Sequence, residues 1–415
     1  MSLSPKELLR ALFDEAVIVA DPISCLEKHL PPPPAGRLIV IGAGKASARM
    51  AEAVERHYKC DIEGLVITRY GYARPTKHIE IVEAAHPVPD QAGVDATRRM
   101  LALVGDLKQD DLVLAPISGG GSALLCAPLD GISLDDKQQI NQNLLASGAP
   151  ISEMNVVRRH FSAVKGGKLA IACAPARVCG LVISDVAGDD LNIIASGPTV
   201  PSQIEDVSII PILEKWNINI DPHILRIAER HNSPEVPQNE VTNRIVAAPS
   251  QSLEAAKALA QSHGCDVKIL GDAIEGEART LGAEHARLAM DIAKTRTKTD
   301  KPLLLLSGGE CTVTRTGDGI GGPNAEYALS AMIAFNGAPN IHLLAADTDG
   351  VDGAAEVAGA FVSPQSGRCA TELGLDAQSH LERNDAHTFF EKLGEQLVTG
   401  PTLTNVNDFR AILIG

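Results

Sequence analysis

At 415 residues the chain exceeds the size at which a single hydrophobic core keeps growing, so two or more domains are expected. A formal net charge of -15 with no extended basic run disfavours nucleic acid and anionic membrane surfaces as partners, and an aromatic content of 3% disfavours stacking platforms for single strands. Eight cysteines without a C-x-x-C pair or zinc spacing read as reduced, mostly buried thiols, and the lack of a signal-peptide order or of a run near ~18 apolar residues leads to an expectation of cytoplasmic residence.

Residues 5–20 place Leu8, Leu9, Leu12, Phe13 and Ala16 at helical spacing, and the proline run 31–34 ends any helix before it. Leu38 to Ile41 is a continuous apolar run of the kind shown by a strand buried on both faces. Gly42-Ala43-Gly44-Lys45 then turns it into a helix with Met50, Ala51, Val54 and Tyr58 on one face. The same grammar predicts strands at 64–68, 79–83 and 112–117, a helix at 92–104, and the glycine loop 118–122. A helical stretch at 134–171, a strand at 181–184 and helices at 207–215 and 222–231 complete the first half.

Asn232 to Asn243 lacks apolar periodicity and reads as a linker. Beyond it, strands at 245–248, 266–270, 303–306 and 341–346 alternate with helices at 252–263, 276–294 and 323–335. A final strand at 409–414 suits either sheet. The expected fold class is α/β: domains at 1–235 and 236–415, each a largely parallel sheet flanked by helices, the first Rossmann-like.

Open parallel sheets bind ligands at the carboxyl ends of their strands, where this sequence concentrates Gly, Ser, Asp and Lys. Gly42 and Gly44 let the backbone approach an anion, the following helix offers unpaired N–H groups, and Lys45 adds a charge, although the Walker A pattern is absent. Alone, this loop is equally well a tight turn with a solvated lysine. Ser118, Gly119, Gly120, Gly121 and Ser122 form a second such loop, and Ser307, Gly308, Gly309 and Glu310 a third, each able to wrap phosphate. Two acidic segments, Ser184 to Asp190 and Asp347 to Gly353, also follow apolar strands and offer carboxylates for Mg²⁺ or for a hydroxyl proton, although Asp and Gly equally build turns. His86 to Asp90 reads as a rigid extended loop. Arg158, Arg159, His160, Lys165 and Lys168 read first as a solvated helical face, with the Lys165-Gly166-Gly167 break marking a helix end near something functional.

Taken together, Ile41 to Ala46, His86 to Asp90, Ser118 to Ala123, Lys165 to Gly167, Ser184 to Asp190, Ser196 to Pro198, Ser307 to Glu310 and Asp347 to Gly350 resemble, in the family's order, the class II glycerate 2-kinase family, whose carboxy-terminal part is the MOFRL domain. The resemblance implies an active-site cleft between two α/β domains, ATP as donor, Mg²⁺ as cofactor, D-glycerate as acceptor and 2-phosphoglycerate as product. It implies a catalytic role for Lys45. Asp189 is the expected metal ligand or base, with Asp190 and Asp349 as further metal candidates, and Arg158, Lys165, Arg315 and Asn324 as substrate-binding candidates. Where the family carries an arginine thought to act in catalysis, this chain has Pro323, and Arg315 is the first candidate to supply the missing charge. Two other readings stay open: an NAD(P)H-dependent hydroxypyruvate reductase, for which Gly42-x-Gly44-x-x-Ser47 is a weak fingerprint, and a non-catalytic sugar-acid or nucleotide sensor. The oligomeric state, a homodimer included, also stays open.

Overall fold

The computed structural model describes residues 3–200, 208–231, 238–297, 299–353 and 355–415. Its contacts divide the chain into two compact units, Pro22–Ser184 with Asp189–Val246, and Met1–Asp21 with Asp185–Gly188 and Ala247–Gly415. The expected boundary at 235/236, and the linker over 232–237, lie outside the described residues. The units differ from the expected domains in two respects: the amino-terminal helix belongs with the carboxy-terminal unit, and the first unit runs on to Val246. Pro5–Ala20 buries Leu8, Leu9, Leu12, Phe13 and Ala16 against Leu253, Ala256 and the inner face of the second sheet. A capping box between Ser4 and Glu7, with Pro5 at the first turn, starts that helix.

In the first unit, β1 (Leu38–Ala43), β2 (Ile62–Arg69), β3 (Ile79–Ala84), β4 (Leu112–Ile117), β5 (Arg177–Ile183) and β6 (Val241–Ala247) form one sheet in the order β3-β2-β1-β4-β5-β6. The pairs β1/β2, β1/β4, β2/β3 and β4/β5 are parallel. This is the strand order of doubly wound nucleotide-binding sheets, which reverses direction between β1 and β4. Both strands are buried at every position, as continuous apolar runs require when helices cover both faces. The strand expected at 245–248 to open the second domain is the end of β6 and completes the first sheet instead. The helical stretch expected at 134–171 is three helices, Leu134–Ala146, Ile151–His160 and Lys168–Ala172. Gly148 interrupts it at φ 72°, and Gly166 and Gly167 do so at 64° and 84°, conformations that glycine adopts without steric cost.

The second unit holds a sheet of β7 (Asp266–Gly271), β9 (Leu303–Ser307), β11 (Ile341–Asp347), β12 (Gly359–Val362), β13 (Gln396–Leu397) and β14 (Asp408–Ile414), with β8 (Gly276–Glu277) and β10 (Cys311–Thr312) as a separate two-stranded ladder. The order is β13-β12-β11-β14-β9-β7. Helical crossovers keep β7 and β9 parallel, as the sequence grammar predicts. The expectation of a largely parallel sheet nevertheless needs correction here, because β14 inserts antiparallel to both β9 and β11, and β12 pairs antiparallel with β11 and β13. Among the described residues no helix lies between β11 and β12, and a short connection returns a chain in the opposite direction. The helix Pro323–Phe335 is buried on nearly all sides, packed with Ala278–Thr295 and the sheet in the larger core of this unit. No described helix is long and apolar enough to cross a membrane. All eight cysteines are free thiols, six of them buried.

Candidate functional site

In the first unit the loops after β1 and β4 meet where the sheet reverses direction. Lys45 N–H donates to Gly119 O at 2.8 Å, Ala46 N–H to Ser118 Oγ at 3.0 Å, and Ser47 Oγ to Pro116 O at 2.9 Å. The contact is so close that a Cβ on Gly42 would lie 2.1 Å from Pro116 O, and one on Gly44 (φ 149°) 2.1 Å from Ser118 Oγ. Gly120, at φ 78°, sits between Lys45 and His86: its Cβ would be 3.3 Å from Lys45 Cγ and 3.1 Å from His86 Cδ2. The expected loops of Gly42, Gly44, Lys45 and Ser118 to Ser122 therefore form one surface, and His86 lines it.

Arg158 and Lys165 join the same region through hydroxyls and amides. Lys165, only 2% exposed, donates to Ser122 O at 2.6 Å and Ser122 Oγ at 2.9 Å. Ser122 Oγ lies 3.0 Å from Ser196 Oγ, which reaches Asn155 Oδ1 at 3.4 Å, and Arg158 donates to Asn155 Oδ1 at 3.2 Å and Asn141 Oδ1 at 2.9 Å. Arg159 donates to Asn192 O. These residues are not a solvated helical face. Burial, then Lys137, Arg158 and Arg159, hold the Lys165 ammonium well below the usual lysine range, and burial lowers Arg158 in the same direction. Backbone strain gathers in the adjoining turn, where Asp189, Ala195 and Ser196 have φ of 56°, 50° and 63°.

Asp189 Oδ1 in that turn is buried and has no hydrogen-bond partner among the described residues. Asp190 is exposed, and its Oδ1 accepts from Asn192 N–H at 2.8 Å. Among the described residues no group of three or more His, Cys, Asp or Glu side chains is arranged to hold a metal ion. Mg²⁺ usually takes one or two carboxylates and completes its shell with water and phosphate oxygens, so the unsatisfied oxygen of Asp189 fits it as a protein ligand.

In the second unit, Ser307, Gly308 and Gly309 are buried at the end of β9 and Glu310 is exposed. Gly309 has φ 111°, and a Cβ there would lie 2.3 Å from Ile274 N and O. Behind this loop stands a polar network of which the sequence pointed to Asn324 and the segment of Asp352 but not to Asp408, Arg410 or His387. Arg410, 1% exposed, pairs with Asp408 and donates to Gly308 O at 3.2 Å. Asp408 accepts from Asn324 Nδ2 at 2.6 Å, and Asp352 accepts from Asn324 N–H and Ala325 N–H at 2.9 Å each, capping the helix that Pro323 opens. His387 Nε2 lies 3.0 Å from Asp352 Oδ2. Burial pushes the Asp408 carboxyl up, against the pull of Arg410. The readable signal is two charges on alternate positions of the apolar strand Asp408–Ile414.

Asp349 is fully buried, with its Oδ1 accepting from Val351 N–H at 2.8 Å. Arg315 is exposed and turns back on its own loop, onto Gly317 O at 3.4 Å and Gly319 O at 3.3 Å. The cation one carboxylate away from Asn324 is Arg410, not Arg315.

Comparison with known proteins agrees with this architecture. A family model described as "Domain of unknown function (DUF4147)" matches residues 8–229, and one described as "MOFRL family" matches 303–408. A protein of Agrobacterium vitis that carries the provisional name hydroxypyruvate reductase is 47% identical over 418 residues, covering 100% of this chain and 95% of the relative. The D-glycerate 2-kinase of Thermotoga maritima is 37% identical over 98% of this chain and 97% of its own. A crystal structure of glycerate kinase from Thermotoga maritima superposes with a TM-score of 0.90 at 37% identity, over 99% of both chains. Amino-terminal DUF4147 and carboxy-terminal MOFRL parts, with full-length likeness to a glycerate kinase in sequence and in fold, place this chain in the class II glycerate kinase family.

Proposed function

We propose that the protein transfers the γ-phosphoryl group of ATP to the 2-hydroxyl of D-glycerate, giving 2-phosphoglycerate and ADP with Mg²⁺ as cofactor. The observation that carries the reading is the meeting of the loops of Lys45 and Ser118 to Ser122 where the first sheet reverses, beside the buried Lys165 and the half-buried Arg158. Such a crevice is where open α/β sheets bind nucleotides and small anions. The hydroxy acid and the regiochemistry rest on the name of the Thermotoga relative.

Phosphoryl transfer asks a protein mainly for positioning and charge stabilisation. Lys45, fixed by its backbone bond to Gly119, holds an ammonium beside the glycine loop, where negative charge builds up in the transition state. Gly119 and Gly120 let phosphate oxygens approach the backbone, the Gly121 N–H being committed to Ser118 O at 3.1 Å, and the buried Ser307 to Gly309 loop, whose Gly308 N–H is committed to Gly271 O at 2.9 Å, is a second glycine loop of this kind in the other unit. Arg158 and Lys165 attract the anionic acceptor. Asp189 would hold Mg²⁺, which neutralises phosphate charge when bound.

The reductase reading is less well supported. An NAD-binding unit carries an acidic residue at the end of its second strand, whereas β2 ends Thr68-Arg69, with the Thr68 hydroxyl spent on Gly44 O at 3.1 Å. Asp61 precedes that strand and is exposed. The deciding experiment is ³¹P NMR of the products formed from ATP and D-glycerate. The expected spectrum is that of the 2-phosphate, abolished by EDTA. A 3-phosphate would overturn the regiochemistry, and oxidation of NADH by hydroxypyruvate without phosphoryl transfer would overturn the kinase.

A further inference from the structure

Lys137 stands on the helix Leu134–Ala146 and is 9% exposed, yet among the described residues its ammonium makes no hydrogen bond and no ion pair. Apart from the Cys126 thiol, which burial itself pushes up, the charged groups that act on Lys137 and Lys165 are cations: each other, Arg158 and Arg159. Arg158 ends on the neutral amides of Asn141 and Asn155, and Lys165 on the carbonyl and hydroxyl of Ser122. Lys137 and Lys165, both buried, and the half-buried Arg158, which bonds Asn141 one turn from Lys137, thus form one cationic cluster with no carboxylate bonded to any of them among the described residues. Burying an unpaired charge is costly. Elsewhere the same chain avoids that cost: Arg410 is buried on Asp408, and Arg279 sits on the fully buried Glu326. The recess at Lys137 is electrostatically complete only with an anion in it.

The geometry points to the carboxylate of the hydroxy-acid acceptor as that anion, with Lys137 as a specificity-determining residue that selects the acid over the corresponding neutral polyol; this rests on the kinase reading. Lys45 and His86 line the glycine loop at Gly120, while Lys165 holds it at Ser122. The loop therefore has a cation for the transferring phosphoryl at one position and a separate cationic recess two residues on. A carboxylate matches a recess whose existing partners are single amide, hydroxyl and carbonyl oxygens, with one donor of Lys165 and all of Lys137 left to it.

The test uses the full chain, with Lys137→Met and Lys137→Gln made in parallel so that the outcome does not hang on one variant's folding. Calorimetric titration of nucleotide-free protein with D-glycerate, and with glycerol as the neutral control, is set beside steady-state kinetics. Loss of a charge-assisted contact predicts a Kd and a KM for D-glycerate raised about 10- to 100-fold, with KM for ATP and kcat changed by less than about threefold. The ligand-free melting temperature should not fall, because the substitution removes an uncompensated buried charge; a lysine with a purely structural role would lower it. A raised KM for ATP with unchanged D-glycerate binding would assign the recess to nucleotide phosphate and overturn the inference. Wild-type D-glycerate binding in both variants would overturn it alone, leaving the kinase standing. If the wild type binds D-glycerate through Lys137 but phosphorylates nothing, the kinase reading falls and the carboxylate site survives.

Discussion

Replacing Arg410 with methionine tests whether the second unit is held together at its polar centre. Arg410 is 1% exposed and Asp408 5%, and beyond the arginine the carboxylate keeps, among the described residues, Asn324 Nδ2 and Cys311 N–H. Removing one partner of a buried ion pair strands the other, at a cost of about 3–5 kcal/mol. For a unit of this size that corresponds to roughly 6–20 °C in melting temperature, at about 2–4 °C per kcal/mol. Gly308 O also loses its 3.2 Å donor, so the Ser307 to Gly309 loop should loosen together with the core. In Arg410→Met/Asp408→Asn no net charge is buried, and one weakened hydrogen bond at about 1 kcal/mol is the main loss. Differential scanning calorimetry of the wild type, the single and the double variant gives the comparison. A single variant within about 2 °C of wild type, or a double variant as unstable as the single, would refute the account of a stranded charge.

Two further outcomes are expected. Lys45→Ala should leave the melting temperature unchanged, since the side chain is only half-buried, while lowering kcat about 10²- to 10³-fold with little change in KM for ATP; a wild-type kcat would reduce Lys45 to a solvated loop residue. Burial, and then Arg410, hold the His285 imidazole down at about 4, with Nδ1 lying 2.9 Å from the Tyr327 hydroxyl. The unfolded chain therefore takes up a proton near pH 6.5 that the folded chain refuses until about pH 4, so this contribution is complete above pH 6.5 and is lost on acidification through that window, amounting to roughly 3 kcal/mol. Denaturant titrations of wild type and His285→Gln between pH 7 and 4 should show a shallower decline in the variant; equal slopes would show that His285 protonates freely in the fold.

Much of the fold was legible because local rules and tertiary structure agree in those segments. The run Leu38 to Ile41 and its glycine turn became β1 and the loop at the switch in the first sheet, since a strand buried on both faces has no polar alternation to disguise it. The spacing of Leu8, Leu9, Leu12 and Phe13 likewise announced the first helix. The unit against which that helix packs was not legible, because an apolar stripe specifies burial without specifying a partner. Strand 409–414 was readable as a strand, yet its central, antiparallel place between β9 and β11 came only from tertiary pairing, which local sequence does not encode. The site divides in the same way. Glycine loops announce themselves by composition, whereas Lys137, Arg158 and Lys165 lie on three separate segments and look solvated until folding draws them together and buries the two lysines. Charge along a chain is visible in sequence; whether a charge finds a counter-ion depends on distances across the fold, and only the tertiary structure determined those.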